Sequence, residues 1–290
     1  MNTHIKVTPE LIEKIAHFYG ESVPDMVGDP LSVSGLDFMV VHPGQVGQSH
    51  TGIYLDEDYE HLRSFTDRGW RTVWFNLAGE ISPDFVPVHD GDVRSLDTLS
   101  QIPALVKKPS LAQCRRWLDE WDVPEHVREH SRLVAWSAYA LGVMLQNRGL
   151  ALDPVLAHRG GLLHDLDKIE TLEGEIDHGE AAADFLVGQG CHHLADTVRG
   201  HVLHMALRPE ADDRSWETKL VFFCDKLVEG VALVPFDERL QALKVRYPRF
   251  RPVMERAEPY VWGLSDQICS LLSIPGHRIL IDMLRKLQNN

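Results

Sequence analysis

Cysteine is scarce in this 290-residue chain: Cys114, Cys191, Cys224 and Cys269 stand far apart, and no two form a C-x-x-C pair. That spacing argues against a disulfide framework and a zinc ribbon, and four separate, reduced, buried thiols are expected. Long apolar runs are also lacking. Residues 220–224 make one of the longest, and charge ends it well short of the roughly 20 residues that span a bilayer. The first ten residues carry His, Lys and Glu without the apolar centre of a signal peptide, so a cytoplasmic protein with no membrane partner is expected. Positive charge is the third shortage, with 29 Lys and Arg against 43 Asp and Glu, a net charge of −14. Such a surface repels nucleic-acid backbones on average. Long DNA or RNA is therefore not an expected ligand, although a local basic pocket could still hold one small anion.

Two segments of different character share the chain. Thr8-Pro9-Glu10 reads as an N-cap with proline at the first helical position, opening a helix that ends near Tyr19-Gly20. Residues 21–35 read as loop. Phe38 to Val41 and Trp70 to Leu77 are strand candidates, with a helix near Asp58 to Arg68 between them, which predicts a small α/β unit. Residues 81–110 hold Pro83, Pro87, Pro103 and Pro109 and read as loops leading to a second domain. From Leu111 onward only helices are predicted. Asp122-x-x-Glu125 resembles a capping box for a helix reaching Arg148, and Asp153-Pro154 opens one running through Lys168. Asp177-x-x-Glu180 starts another that ends near Gly188. Further helices are expected at about 192–206, 215–230, 236–246, 252–272 and 276–287. The expected fold is α+β overall: a small α/β domain over 1–110, then an all-α bundle over 111–290.

Histidine is abundant, 16 residues, and several fall on apolar helix faces. His130 shares a stripe with Val127, Val134, Leu141 and Leu145 by i, i+3/i+4 spacing. His164-Asp165 follows Gly160, Gly161, Leu162 and Leu163, and the glycines leave room for close approach one turn before the pair. His201 aligns with Leu194, Val198 and Met205, in preference to His204, and Asp225 lies among Phe222, Phe223, Leu227 and Val228. One buried histidine or aspartate alone is more often a satisfied core residue than a ligand. Several on successive helices are harder to dismiss, because a polar group facing a core is costly unless paired or bound to metal. Helical metal sites arise when inward-facing side chains from different helices converge. His89-Asp90 has the same letters but sits between Pro87 and Gly91 in a turn-like segment, without an apolar helix before it or a lysine three residues after it.

The order His130, His164-Asp165, Asp225 resembles the HD superfamily of metal-dependent phosphohydrolases over roughly 111–235. The surrounding residues Glu129-His130-Ser131-x-x-Val134-Ala135 and Gly161-Leu162-Leu163-His164-Asp165-x-x-Lys168 resemble its first two helices. The resemblance implies divalent cations, two in number, with Mn, Fe, Co, Ni, Zn and Mg not distinguished by the donor types. It further implies that Asp165 bridges them, that His130, His164 and Asp225 serve one ion, and that His178 with His201 serves the other. Asp165 would orient the nucleophile, and Lys168 on the same helical face would clamp phosphate. Arg132, Arg199, Arg208 and Lys226 are weaker anion-binding candidates, each expected at the surface.

The substrate implied is a small phosphorylated molecule such as a nucleotide. The interval 225 − 201 = 24 is similar to that in HD hydrolases of diadenosine tetraphosphate. Two other classes stay open: an HD-fold di-iron oxygenase using the same six ligands, and a non-catalytic, metal-stabilised sensing or scaffold module. The sequence leaves the oligomeric state open. In the N-terminal part, Arg68 to Asn76 with Pro87 and Ser95-Leu96-x-x-Leu99 resembles the end of a haloacid-dehalogenase-like domain. That family needs a D-x-D nucleophile at a strand tip. Asp56-Glu57-Asp58 has the letters but not the small or Thr residues expected after it, which implies a truncated, catalytically silent unit.

Overall fold

The computed structural model describes residues 5–21, 30–33, 36–41, 52–68, 70–82, 87–97, 99, 108–168 and 178–289. These divide into two compact units. One is drawn from Met1–Glu80, Pro87–Val106 and Ser110–Ala112, the other from Ile81–Val86, Lys107–Pro109 and Gln113–Asn290. Eleven α-helices lie among the described residues, and no described helix is long and apolar enough to cross a membrane.

The first unit is a six-stranded sheet: β1 (Ile5–Val7), β2 (Pro30–Val33), β3 (Leu36–Val40), β4 (Ile53–Asp56), β5 (Arg71–Phe75) and β6 (Gly91–Val93). The spatial order is β2-β3-β1-β4-β5-β6, with β2 antiparallel to β3 and the other pairs parallel. Side chains alternate between faces along each strand. Ile53, Leu55, Val73 and Phe75 join α1 (Pro9–Phe18) in one core, while Tyr54 and Trp74 join Tyr59, Leu62 and Phe65 of α2 (Tyr59–Asp67) in another. Four of the six strands, β1, β2, β4 and β6, have no counterpart in the expectations above. They are three or four residues long, too short for periodicity to separate them from loop. β2 lies inside the 21–35 stretch expected to be loop.

The aspartates of Asp56-Glu57-Asp58 are occupied by local structure. Asp56, at the end of β4, is 2% exposed and accepts hydrogen bonds from the Tyr54 hydroxyl at 2.5 Å and from His61 Nδ1 at 3.1 Å. Asp58 caps α2 by accepting from the Glu60 and His61 amides. His89 is fully buried with its Nε2 2.5 Å from Asp92, and this pair is not among the His, Cys, Asp and Glu groups able to hold a metal.

In the second unit, α3 (Leu111–Glu120) precedes the long α4 (Glu125–Gln146). From His130 to Val143 every residue of α4 except Arg132 is buried, as expected of a helix wrapped by others. The start differs from the capping box read in the sequence. Pro124 is the N-cap, and Asp122 lies in the left-handed region at φ 46° and makes no cap bond. α5 (Pro154–Leu163) does open on Asp153, whose carboxylate accepts from the Leu156 amide. It is followed by α6 (Glu180–Gly188), α7 (His192–Arg199), α8 (Trp216–Asp225), α9 (Phe236–Arg246), α10 (Arg251–Leu272) and α11 (His277–Gln288). Asp177 lies outside the described residues.

Three helices end earlier than expected. α5 stops at Leu163 rather than Lys168, and α7 stops at Arg199 rather than near Ala206. α8 stops at Asp225, and a two-stranded hairpin, β7 (Val228–Glu229) with β8 (Ala232–Leu233), follows it within the segment expected to be all helical. All four cysteines are buried, and no disulfide joins them among the described residues.

Candidate metal centre and its cavity

The HD pair sits where α5 gives way to a turn. Leu166 N–H donates to Leu163 O and Lys168 N–H to Asp165 O, tightening residues 163–168 into i→i+3 geometry. Two glycines make this placement feasible. A Cβ on Gly161 would lie 2.6 Å from Ala135 Cα and 2.8 Å from Ala135 N, so α5 crosses α4 backbone to backbone here. A Cβ on Gly160 would lie 2.4 Å from Thr197 Cγ2 of α7. His164 and Asp165 are thereby carried into the centre of the bundle, 0% and 3% exposed.

Three histidines present the same nitrogen inward. A carbonyl oxygen can only accept, so each Nδ1 facing one carries the proton. His164 Nδ1–H donates to Gly161 O at 2.7 Å, His201 to Val198 O at 2.5 Å and His130 to Gly230 O at 3.3 Å. In each neutral ring the Nε2 lone pair is then left for the interior. His164 Nε2 is buried and has no hydrogen-bond partner among the described residues. The nearest carboxylate oxygens lie 3.5 Å away on Asp165 and 3.7 Å away on Asp225. His130 Nε2 is 3.1 Å from Asp225 Oδ1. Ligand atoms of His130, His164 and Asp225 lie within 4.8 Å of one another, as do those of His164, Asp165 and His201. An orphaned imidazole nitrogen between a buried carboxylate, Asp165, and a largely buried one, Asp225, is a costly arrangement for a protein interior, and a cation relieves it.

The structure brings all six predicted ligands together. His178 reaches Asp165 Oδ1 with Nε2 at 2.7 Å and lies 3.2 Å from His201 Nε2. His178 Nε2, Asp165 Oδ1 and His201 Nε2 therefore lie within 3.8 Å of one another. His201 arrives differently from the expected helical alignment, since it sits in the turn after α7. There Gly200 approaches α8 so closely that a Cβ would lie 2.3 Å from Thr218 Cγ2. Lys168 pairs with Asp165 Oδ2.

Charge is strongly coupled here. Burial opposes ionisation of Asp165, yet His164, Lys168 and His178 outweigh it and hold the carboxyl well below the usual carboxylate range. Burial likewise opposes the charge on Asp225, and Lys226, His130 and His164 prevail. Burial presses the His178 imidazole down, and hydrogen bonds to Asp165 and Asp167 overcome it, pushing it up to about 9. His201 has no such direct acceptor. Burial, with His164 and His178 beside it, drives it well below the ordinary imidazole value.

Asp167 is the residue that sequence reading missed. It is fully buried, 2.9 Å from His178 Nδ1, and accepts amide N–H groups from Gly179 and Ala182. One carboxylate thus orients His178 and caps α6, whose own N-cap, Gly179, has no side chain for the task. Asp167 stands two residues after Asp165, a spacing that an uninterrupted helix would turn to a different face, so no periodicity marks it. Replacing Asp167 with Asn should lower metal affinity about 10- to 100-fold, the usual cost of losing a carboxylate behind a ligating histidine. Metal retained after dialysis against a graded chelator series reads this, and retention equal to wild type would remove Asp167 from the centre.

Lys226 also departs from expectation. It is 5% exposed, not a surface residue, and its Nζ donates to His201 O at 3.1 Å and Asp225 Oδ2 at 2.5 Å. Arg132 and Arg199 are engaged instead by Glu125 and by Glu180 and Asp184, and Arg208 is exposed. The cluster opens on a cavity of about 690 Å³ whose walls include Lys168, Lys226, His126, His204, Arg239 and Arg246. None of the last four carries a sequence signal. They come from helix ends and from α9, and only the bundle brings them together.

Residues 127–229 match the family model of the HD domain. A protein of Methanocaldococcus jannaschii described as uncharacterized is 28% identical over 159 residues, a stretch covering 51% of this chain and 90% of that protein. No solved structure matches the chain. The converged His and Asp residues and this match agree: residues 127–229 of the chain are an HD domain, the module of a superfamily of metal-dependent hydrolases.

Proposed function

We propose that this chain is a metal-dependent phosphohydrolase acting on a nucleotide or another small phosphorylated molecule. The observation that carries the reading is the convergence of His130, His164 and His201, each fixed by a backbone carbonyl, on the carboxylates of Asp165 and Asp225 beside a lysine. His130, His164 and Asp225 would hold one cation and Asp165, His178 and His201 a second. Bound there, divalent ions polarise a phosphoryl oxygen and acidify a water molecule.

The chain's own groups do the rest. Lys168 and Lys226 place positive charge beside the two carboxylates, where a phosphate can be held against a chain of net charge −14. Asp165, ionised at neutral pH, can accept a proton or orient the attacking water. In the net reaction the water oxygen bonds to phosphorus, the ester P–O bond breaks, and a proton from that water ends on the leaving oxygen. Protein purified without added metal, assayed for metal content and then for phosphate release from nucleotides and simple phosphoesters with Mn, Fe, Co or Ni, tests the proposal. Turnover with at least one metal is expected. Oxygen consumption by an iron-loaded form without phosphate release would transfer the site to the oxidative class.

Metal uptake should also be coupled to protons. With its value raised to about 9, the metal-free His178 holds a proton at pH 7 that a ligating imidazole must give up. About one proton should therefore be released per site at pH 7, and release should fade as the pH rises through 9. Titration calorimetry in two buffers of different ionisation enthalpy measures this, and no release at pH 7 would exclude His178 as a ligand.

A further inference from the structure

Part of the cavity lining comes from the HD domain, but much of it does not. Leu243 and Arg246 stand on α9, Tyr247 follows it, Phe250 lies in a 3₁₀ turn over Pro248–Phe250, and Val253 and Met254 stand on α10. All of them lie beyond residue 229, where the family match ends. Tyr247 and Phe250 are 38% and 45% exposed, large aromatic surfaces left open at a cavity that also carries Lys168, Lys226, Arg239 and Arg246. Exposed apolar surface lining a cavity commonly marks a ligand contact.

Arg239 belongs to the part beyond residue 229. Its side chain is nine-tenths buried, and Nη1 pairs with Glu229 Oε2 while Glu229 Oε1 holds Arg246. Arg239 Nε is buried without a hydrogen-bond partner among the described residues, in a residue that lines the cavity. A buried N–H left unsatisfied is unfavourable, and an acceptor able to reach it would relieve the cost. Lys168 and Arg239 line the same cavity, and two cations on one cavity are an arrangement that a phosphate can bridge.

We propose that Arg239 grips the substrate's phosphate opposite Lys168, and that Leu243, Tyr247, Phe250 and Met254 receive the ester group, making the site selective for phosphoesters of apolar, ring-bearing alcohols. This assignment names the substrate class for the hydrolysis proposed above and rests on that reading. It places specificity in the segment after the HD domain, with the chemistry inside the domain. A small polar ester of equal charge would satisfy Arg239 but leave the aromatic wall wet.

The test compares benzyl phosphate with ethyl phosphate, which carry the same phosphate on alcohols of similar acidity and differ by the ring. With the metal-loaded full chain, kcat/KM should favour benzyl phosphate by about 10-fold or more. In the double variant Tyr247→Ala/Phe250→Ala that ratio should collapse towards one. Arg239→Gln should raise KM for both esters more than it lowers kcat, and Arg239→Lys, which keeps the charge that pairs with Glu229, should do the same if the glutamine variant does not fold. A wild-type ratio within twofold of one, or a ratio unmoved by the double variant, overturns the aromatic subsite, and an unchanged KM overturns the role of Arg239. Benzylphosphonate, which cannot be hydrolysed, separates this failure from failure of the hydrolase reading. If no ester is turned over, calorimetry should still show it binding wild type at least 10-fold more tightly than Arg239→Gln or the Tyr247→Ala/Phe250→Ala variant; equal binding by the first rejects the role of Arg239 and equal binding by the second rejects the aromatic subsite.

Discussion

Asp165→Ala should abolish phosphate release, lowering kcat/KM by about 10³-fold or more, while the helical bundle remains folded. The size follows from how many partners one carboxylate serves. Its Oδ1 faces His178 at 2.7 Å and His201 at 3.8 Å, and its Oδ2 faces Lys168 and lies 3.5 Å from His164. Every predicted ligand but His130 and Asp225 is therefore organised around it. Losing a single well-placed charge-stabilising group from an active site lowers rates about 10²- to 10³-fold, and a group that would also bridge cations should exceed that. Asp165→Asn sharpens the test, because the amide keeps the volume and one acceptor but loses the charge. It should fail almost as badly in turnover and in metal content. Full activity in either variant, with metal retained, would end the proposal that this pair forms the reactive centre.

Gly161→Ala should be the most damaging single methyl group in the bundle. A Cβ there meets the Ala135 backbone, at 2.6 Å from Cα and 2.8 Å from N. Backbone cannot rotate away as a side chain can, so α5 must move off α4 or α4 must bend. Overpacking of this kind is unfavourable by about 1–3 kcal/mol and occasionally more. The displacement falls one turn before His164, whose Nδ1–H is held by the carbonyl of Gly161 itself. Loss of metal should thus accompany a lowered Tm, and the two should move together. Gly188→Ala is the control: nothing lies within 4 Å of the added Cβ, and a neutral or slightly stabilising change is expected. Equal Tm and metal content in Gly161→Ala and wild type would show that the crossing is not as tight as the geometry requires.

Much of this centre was legible before any coordinates. His130, His164, Asp165 and Asp225 sit in apolar surroundings at helical spacing, and a core-facing charge in the sequence is informative because it is costly without a partner. Helices over 236–246, 252–272 and 276–287 were legible for the ordinary reason that their apolar residues recur at a period near 3.6. The short strands were not, since three or four residues are too few to display a period. Helix ends were the weak point. α7 and α8 stop where the turn after them carries a ligand or a hairpin, and these stops are fixed by packing of Gly200 against Thr218 and by pairing of β7 with β8.

By itself the sequence determined which residue types would face the helical core, and so that His and Asp side chains would have to satisfy one another or a cation there. The tertiary structure decided what those residues meet. It set the Nδ1 bonds that turn three imidazoles the same way, the placing of Asp167 behind His178, and the joining of Arg239, Tyr247 and Phe250 to a centre far away in the chain. Periodicity reports the face a residue shows within its own helix. Which carbonyl, carboxylate or ring stands opposite that face is fixed only when the helices cross, and α4 and α5 cross at Gly161, one turn before His164.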